Sequence, residues 1–227
     1  DGNACGAAVE AALAERIAAL PSPPHLAVVI VGDDPASHVY VGAKERACAR
    51  LGIRSTRIDI SADAEYAEVV ATVQRLNADP DVNGILVQSP LPSGMDEIAI
   101  TDLIDPIKDV DGFHAQNLGR LVQGDASGLL PCTPAGVMRM LEGAEVDLSG
   151  KRAVVIGRSR IVGMPQSLLL AQKGADATVT IAHSRTADMA ALCREADVII
   201  AAVGRSNMVT SDWVKPGATV IDVGVNR

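Results

Sequence analysis

Short, solidly apolar runs alternate along this chain with longer stretches of helical spacing. The run at 26–31 (LAVVIV) is apolar throughout, rich in β-branched residues and closed by Gly32, which predicts a buried strand of a parallel sheet. Ahead of it, the alanine-rich stretch 7–20 carries Glu10, Glu15 and Arg16 and stops at Pro21-Ser22-Pro23-Pro24, as a helix meeting a breaker does. After it, Asp34 is placed to cap a helix with Pro35 in its first position, and Gly52 is placed to end that helix near Leu51. A short strand at 56–60, a helix over about 64–77 and a buried strand at 84–88 complete the first half. Strand and helix alternate throughout, which argues for α/β architecture.

The stretch 90–128 is polar and proline-rich and reads as a separator. Beyond it comes a helix reaching about Leu141. Lys151 then opens a second alternating half: a strand at 153–156, a glycine turn, a helix at 165–173, a strand at 177–181, a helix at 187–195, and strands at 198–203 and 219–223. That outline is of the nucleotide-binding type. The expected division is a first domain over 1–135 and a second over 136–227.

Composition narrows the function. With 227 residues, 48% of them hydrophobic, the chain can build one large or two small cores. A formal net charge of −8 without any long Lys/Arg cluster argues against nucleic acid or an anionic membrane as the main partner, so an anionic ligand needs a local site. No run of about 18 apolar residues indicates a transmembrane helix. Cys5, Cys48, Cys132 and Cys193 are widely spaced with no C-x-x-C pair, which fits reduced, structural thiols of a cytoplasmic protein better than disulfides or zinc. The chain begins at Asp1 without methionine, which is compatible with a targeting peptide removed ahead of it.

Three clusters carry candidate chemistry. In the turn VVIGRSRIVGMP, a strand ends at Gly157 and a helix begins near Pro165, so backbone N–H groups and a helix N-terminus are placed for a pyrophosphate. Arg158, Ser159 and Arg160 occupy the middle in place of the usual glycine pattern, and an ordinary strand-to-helix turn remains the alternative. Where an NAD site carries an acid for the ribose hydroxyls, this chain has Ala182-His183-Ser184-Arg185, whose hydroxyl and guanidinium suit a 2′-phosphate. The alternative is that these arginines are simply solvated surface charges. In the second cluster, Tyr40 and Lys44 stand four residues apart and share a helix face. An exposed tyrosine beside a solvated lysine is the commoner situation. Their position, just past a strand end where open α/β sheets bind ligands, favours a site instead. A partly buried lysine there is a candidate acid or base, with Gln88 within reach of it or of a ligand. The third cluster, DPIKDVDGFH, offers Asp109 and Asp111, which fit turn and cap roles better than a metal site because no further ligands cluster with them; His114 fits a surface or turn position.

Taken in order, VGDDPASHVYVGAKERACARLGI, GILVQSPLP, KDVDGFHAQNLGRL, PCTPAGV, VVIGRSRIVGMP, TVTIAHSRT and VIDVGVN resemble the bifunctional methylenetetrahydrofolate dehydrogenase/methenyltetrahydrofolate cyclohydrolase family over nearly the whole chain. The resemblance implies two α/β domains with a cleft between them, the second a Rossmann-type NADP-binding domain. It implies NADP-linked oxidation of 5,10-methylenetetrahydrofolate to the methenyl form and hydrolysis of that to 10-formyltetrahydrofolate, by a homodimer joined through the cofactor domain. Lys44 matches the family's catalytic lysine, Tyr40 the ring that packs on the folate, Gln88 the glutamine that tunes the lysine, and Asp111 the carboxylate that anchors the pterin. Val87 and Ser89, flanking Gln88, are expected to touch substrate too. Gly157, Arg158, Ser159 and Ser184 match cofactor-binding positions, with Arg158 and Ser184 at the 2′-phosphate, and Val225 falls where the family has isoleucine beside the cofactor. Met164 stands where many members have a polar residue, and Ser89 where leucine is common. The family continues past the position of Arg227, so either a longer true chain or a fragment with an incomplete folate site is expected. A dehydrogenase-only enzyme and a non-catalytic nucleotide- or folate-binding module are the alternatives.

Overall fold

The structure is a computed structural model that describes residues 2–224. These residues form two compact units that part between Asn117 and Leu118, earlier than the 135/136 division expected from the sequence. Each unit is built on one all-parallel sheet.

In the first unit, strands β1 (His25–Val31), β2 (Arg54–Ile60) and β3 (Gly84–Val87) lie in the order β2-β1-β3. The sequence shows why β1 is central. HLAVVIV is apolar on both faces and is covered on both, whereas RSTRIDI of β2 alternates and takes an edge. One face of β1 (Ala27, Val29, Val31) packs on Val69, Val73 and Leu76 of α3 (Tyr66–Ala78). The other (Val28, Ile30) packs with Leu86 on Val41 of α2 (Pro35–Leu51). Each such side chain contributes about 1.5–3 kcal/mol by leaving water, so this double coverage is what fixes β1 in place.

Helix α2 starts and stops where its residues dictate. The Asp34 side chain accepts the Ser37 N–H at 2.8 Å, Pro35 occupies the first turn, and Gly52 forms the C-cap. Helix α1 (Gly2–Ala18) begins earlier than expected and buries no residue; it rests on alanine propensity and on the Arg50–Glu10 ion pair at 2.6 Å. The stretch 90–128, read from the sequence as a separator between the halves, contains α4 (Glu97–Thr101) and α5 (Ala115–Gln123). Five residues are too few for a periodic signal, and α4 is set by its cap, Asp96, which accepts the N–H groups of Ile98 and Ala99.

The second unit orders its strands β5-β4-β6-β7: β4 (Arg152–Ile156), β5 (Thr178–Ala182), β6 (Val198–Ala201) and β7 (Thr219–Asp222). The apolar strands β4 and β6 again take the centre and the alternating β5 and β7 the edges. Ala153, Val155, Val198 and Ile200 pack with Val137 and Leu141 of α6 (Cys132–Gly143) and Leu170 of α7 (Gly163–Ala171). Val154, Ile156 and Ile199 pack with Cys193 of α8 (Met189–Glu195). A 3-10 turn at Ser211–Trp213 precedes β7.

Candidate active site

In the first unit the chain leaves β1 for β2 on one side and returns to β3 on the other, so the strand order switches between β1 and β3. Ligands of open α/β sheets bind at the carboxyl ends of strands at such a point. Gln88 stands there, its backbone N–H donating to Val29 O at 2.9 Å to extend the β1–β3 ladder by one step. Its side chain reaches α2: Lys44 Nζ donates to Gln88 Oε1 at 3.0 Å. Gln88 Nε2 donates in turn to Ser89 O at 2.7 Å. A carbonyl only accepts, so that contact fixes which end of the amide meets the lysine. Tyr40, one turn before Lys44, is 38% exposed.

Val87, Ser89, Asp109, Asp111 and Phe113 line one recess beside β3. Ser89 Oγ donates a short hydrogen bond to Glu97. The two aspartates, alike in the sequence, differ in the fold. Asp109 is 1% exposed, and its Oδ2 accepts the His114 N–H at 2.8 Å and Asn117 Nδ2 at 2.9 Å. Asp111 is half-buried, and its carboxylate accepts no hydrogen bond among the described residues. Burial, with a smaller push from Asp109, raises its affinity for a proton above that of an ordinary carboxylate, against the pull of Lys44. Among the described residues no donor reaches this half-buried carboxylate, so its oxygens can accept N–H groups that a ligand brings. Loop 103–111 is fastened elsewhere: Lys108 Nζ donates to the carbonyls of Leu76, Asn77 and Asp79 at the end of α3, and Asn77 bonds Leu103 O and the Asp105 N–H. His114 sits at the start of α5, its Nδ1 accepting the Gln116 N–H at 2.9 Å.

In the second unit the switch point lies between β4 and β6, and Gly157 stands at it with φ 124. A Cβ there would come 2.6 Å from Ala202 O, and one on Gly163 would come 2.3 Å from Gly157 O. Both glycines are therefore required for the α7 N-terminus to approach the strand end so closely. Helix α7 starts at Gly163, ahead of the expected Pro165, because Ser159 Oγ accepts the N–H groups of Val162 and Gly163. Proline is tolerated in the first turn, where no intrahelical donor is needed. Arg158 and Ser159 are exposed in this turn, and Ser184 and Arg185 are exposed just past β5. A helix N-terminus joined to two guanidinium groups and a hydroxyl, with no acid at the end of β5, is a donor set that fits a dinucleotide bearing a 2′-phosphate. Val225 lies outside the described residues.

The comparisons agree with both halves. Residues 1–111 match the family model of the tetrahydrofolate dehydrogenase/cyclohydrolase catalytic domain, and residues 131–227 the model of the NAD(P)-binding domain of the same family. The chain belongs to that family. Among relatives of this tetrahydrofolate dehydrogenase/cyclohydrolase, the bifunctional protein FolD of Acidiphilium cryptum is 57% identical over 227 residues, covering 100% of this chain and 80% of its own length. The crystal structure of the bifunctional FolD enzyme of Campylobacter jejuni is similar with a TM-score of 0.97 and 45% identity, over 100% of this chain and 81% of that one. The Trypanosoma brucei dehydrogenase-cyclohydrolase, solved with NADP and an inhibitor, is similar with a TM-score of 0.95 and 36% identity, over 100% and 78%.

Sequence reasoning missed Asn117 and Asn77, which organise the loop carrying Asp111. No spacing signal marks either. Only the fold shows that Asn117 is buried and turned toward Asp109.

Proposed function

We infer that this chain is an NADP-dependent methylenetetrahydrofolate dehydrogenase and methenyltetrahydrofolate cyclohydrolase of one-carbon metabolism, with both reactions centred on Lys44. The observation that carries the reading is the fixed Lys44–Gln88 contact, joined to the Asp111 carboxylate, which accepts no hydrogen bond among the described residues. The substrate is placed by Asp111, which takes the N–H groups of the pterin, by Tyr40, whose ring packs on it, and by Val87 and Ser89 beside β3. NADP bound at the second unit supplies a hydride acceptor. Gly157, Arg158, Ser159 and Ser184 are the residues that would hold it, with Arg158 and Ser184 at the 2′-phosphate, and Val225 is proposed beside it.

For hydrolysis, the cationic methenyl carbon takes water, one water proton is passed to a ring nitrogen, the carbon–nitrogen bond opens, and the remaining hydroxyl proton leaves to solvent as the formyl C=O forms. Lys44 is the group able to accept the proton of the attacking water and pass it to the nitrogen. The Gln88 carbonyl occupies one hydrogen of Nζ and so aims the remaining positions. Gln88 and Lys44 together are thus what favours the bifunctional reading over dehydrogenase alone. We further propose a cytoplasmic homodimer paired through the second unit, a reading that rests on the family resemblance.

The test is turnover of methylenetetrahydrofolate with NADP or NAD, followed by methenyl absorbance and then its decay. Turnover with NADP followed by decay supports the reading; a binding signal without turnover from folded protein contradicts it.

A further inference from the structure

Asp109 is the buried carboxylate, among the described residues, that the mechanism above leaves unused. At 1% exposure it cannot meet a substrate broadly, and its Oδ2 is already taken by two donors from the start of α5, the His114 N–H and Asn117 Nδ2. Burying a carboxylate is costly unless donors compensate it, and here two donors hold it at the wall of the recess that Asp111 also lines. Its surroundings indicate what it does there. Asn117 Nδ2 also donates to Pro106 O at 2.9 Å, so one amide ties both ends of the 106–109 segment to α5. On the strand side, Ile85 N donates to Lys108 O at 2.7 Å and Ile85 pairs with Asp109 as an isolated bridge. Asp109 is thereby clamped between β3 and α5, two residues before Asp111.

We propose that Asp109, clamped by Asn117, is a positioning residue for folate: it sets where the Asp111 carboxylate stands and keeps a second negative charge beside it. The inference rests on the reading that Asp111 takes the substrate. The charged groups acting on Asp111 are Lys44 from α2 and Asp109 from its own loop, the first favouring its ionised form and the second opposing it. A loop fixed only by backbone contacts would carry Asp111 equally well without a charge at 109; a charge there is felt at Asp111.

The experiment measures KM for methylenetetrahydrofolate against pH, with melting temperature alongside, for the wild type, Asp109→Asn and Asp111→Asn. The asparagine at 109 keeps the shape and an oxygen able to accept both donors while removing the charge. The expected result is that the acidic limb of the KM profile moves to lower pH in Asp109→Asn, with kcat little changed. An unchanged limb, in a background where Asp111→Asn raises KM, overturns the inference and leaves the role of Asp111 standing. If Asp111→Asn leaves KM unchanged, the reading of Asp111 itself is overturned and this inference with it. Should Asp109→Asn fail to fold, Asn117→Ala decides: a KM raised roughly tenfold or more at constant kcat, from a loop no longer clamped, supports the proposal, and an unchanged KM overturns it.

Discussion

Lys44 Nζ lies 3.0 Å from Gln88 Oε1, although the remainder of α2, the strand β2, the helix α3 and the strand β3 separate the two residues. The contact exists because α2 packs on the β1–β3 face while Gln88 extends the β1–β3 ladder, and it is directional because Ser89 O takes the other end of the amide.

Gln88→Ala removes that acceptor without touching the α2 packing. A hydrogen bond contributes about 0.5–1.5 kcal/mol, so cyclohydrolase kcat is expected to fall roughly two- to tenfold while NADP affinity stays at the wild-type value. Steady-state assays of the methenyl substrate, with cofactor titration as the control, check this.

On the proposed reading, Asp111 links substrate binding to stability. Its proton is held more tightly in the folded chain than in the unfolded one, chiefly because of burial. Ionising it therefore costs stability, and the stability it contributes is lost as pH rises from the ordinary carboxylate value of 3.8 through the raised folded value. Asp111→Asn should raise the melting temperature at neutral pH and flatten its decline over that acidic interval, while raising KM for folate. Melting curves across pH, paired with KM, test both.

Gly163→Ala forces a Cβ to within 2.3 Å of Gly157 O. Overpacking of this kind costs about 1–3 kcal/mol, and the displaced turn should lose NADP affinity as well. Gly119→Ala in α5, where the added Cβ meets nothing within 4 Å, is expected to be neutral or to stabilise by about 0.4–1 kcal/mol. Denaturant midpoints and cofactor titration distinguish the two.

Arg158→Gln should weaken NADP roughly ten- to a hundredfold and leave NAD nearly unaffected, since only the 2′-phosphate loses a charged donor. The ratio of kcat/KM for the two cofactors reads this directly.

Much of this was legible in the chain. LAVVIV and VVI announce central strands by being apolar on both faces, and Asp34-Pro35 with Gly52 brackets α2 to the residue. The Tyr40–Lys44 spacing likewise shows one helix face. What escaped depends on distant packing. Helix α5 was hidden in a polar, proline-rich stretch, although Leu118 and Leu121 stand three apart. Asp109 and Asp111 are two residues apart in one loop, and nothing in DVDG distinguishes a buried, doubly bonded carboxylate from a half-buried one without a donor. That difference arises from Asn117 on α5, whose amide carries no sequence signature.

The most direct test of the account is Lys44→Ala assayed separately for oxidation of methylenetetrahydrofolate with NADP and for hydrolysis of the methenyl compound. Loss of a general acid–base group predicts hydrolysis lowered by roughly 10²–10⁴-fold in folded protein that still binds NADP. Full hydrolysis by the variant would contradict the assignment of Lys44 and, with it, the reading of the site.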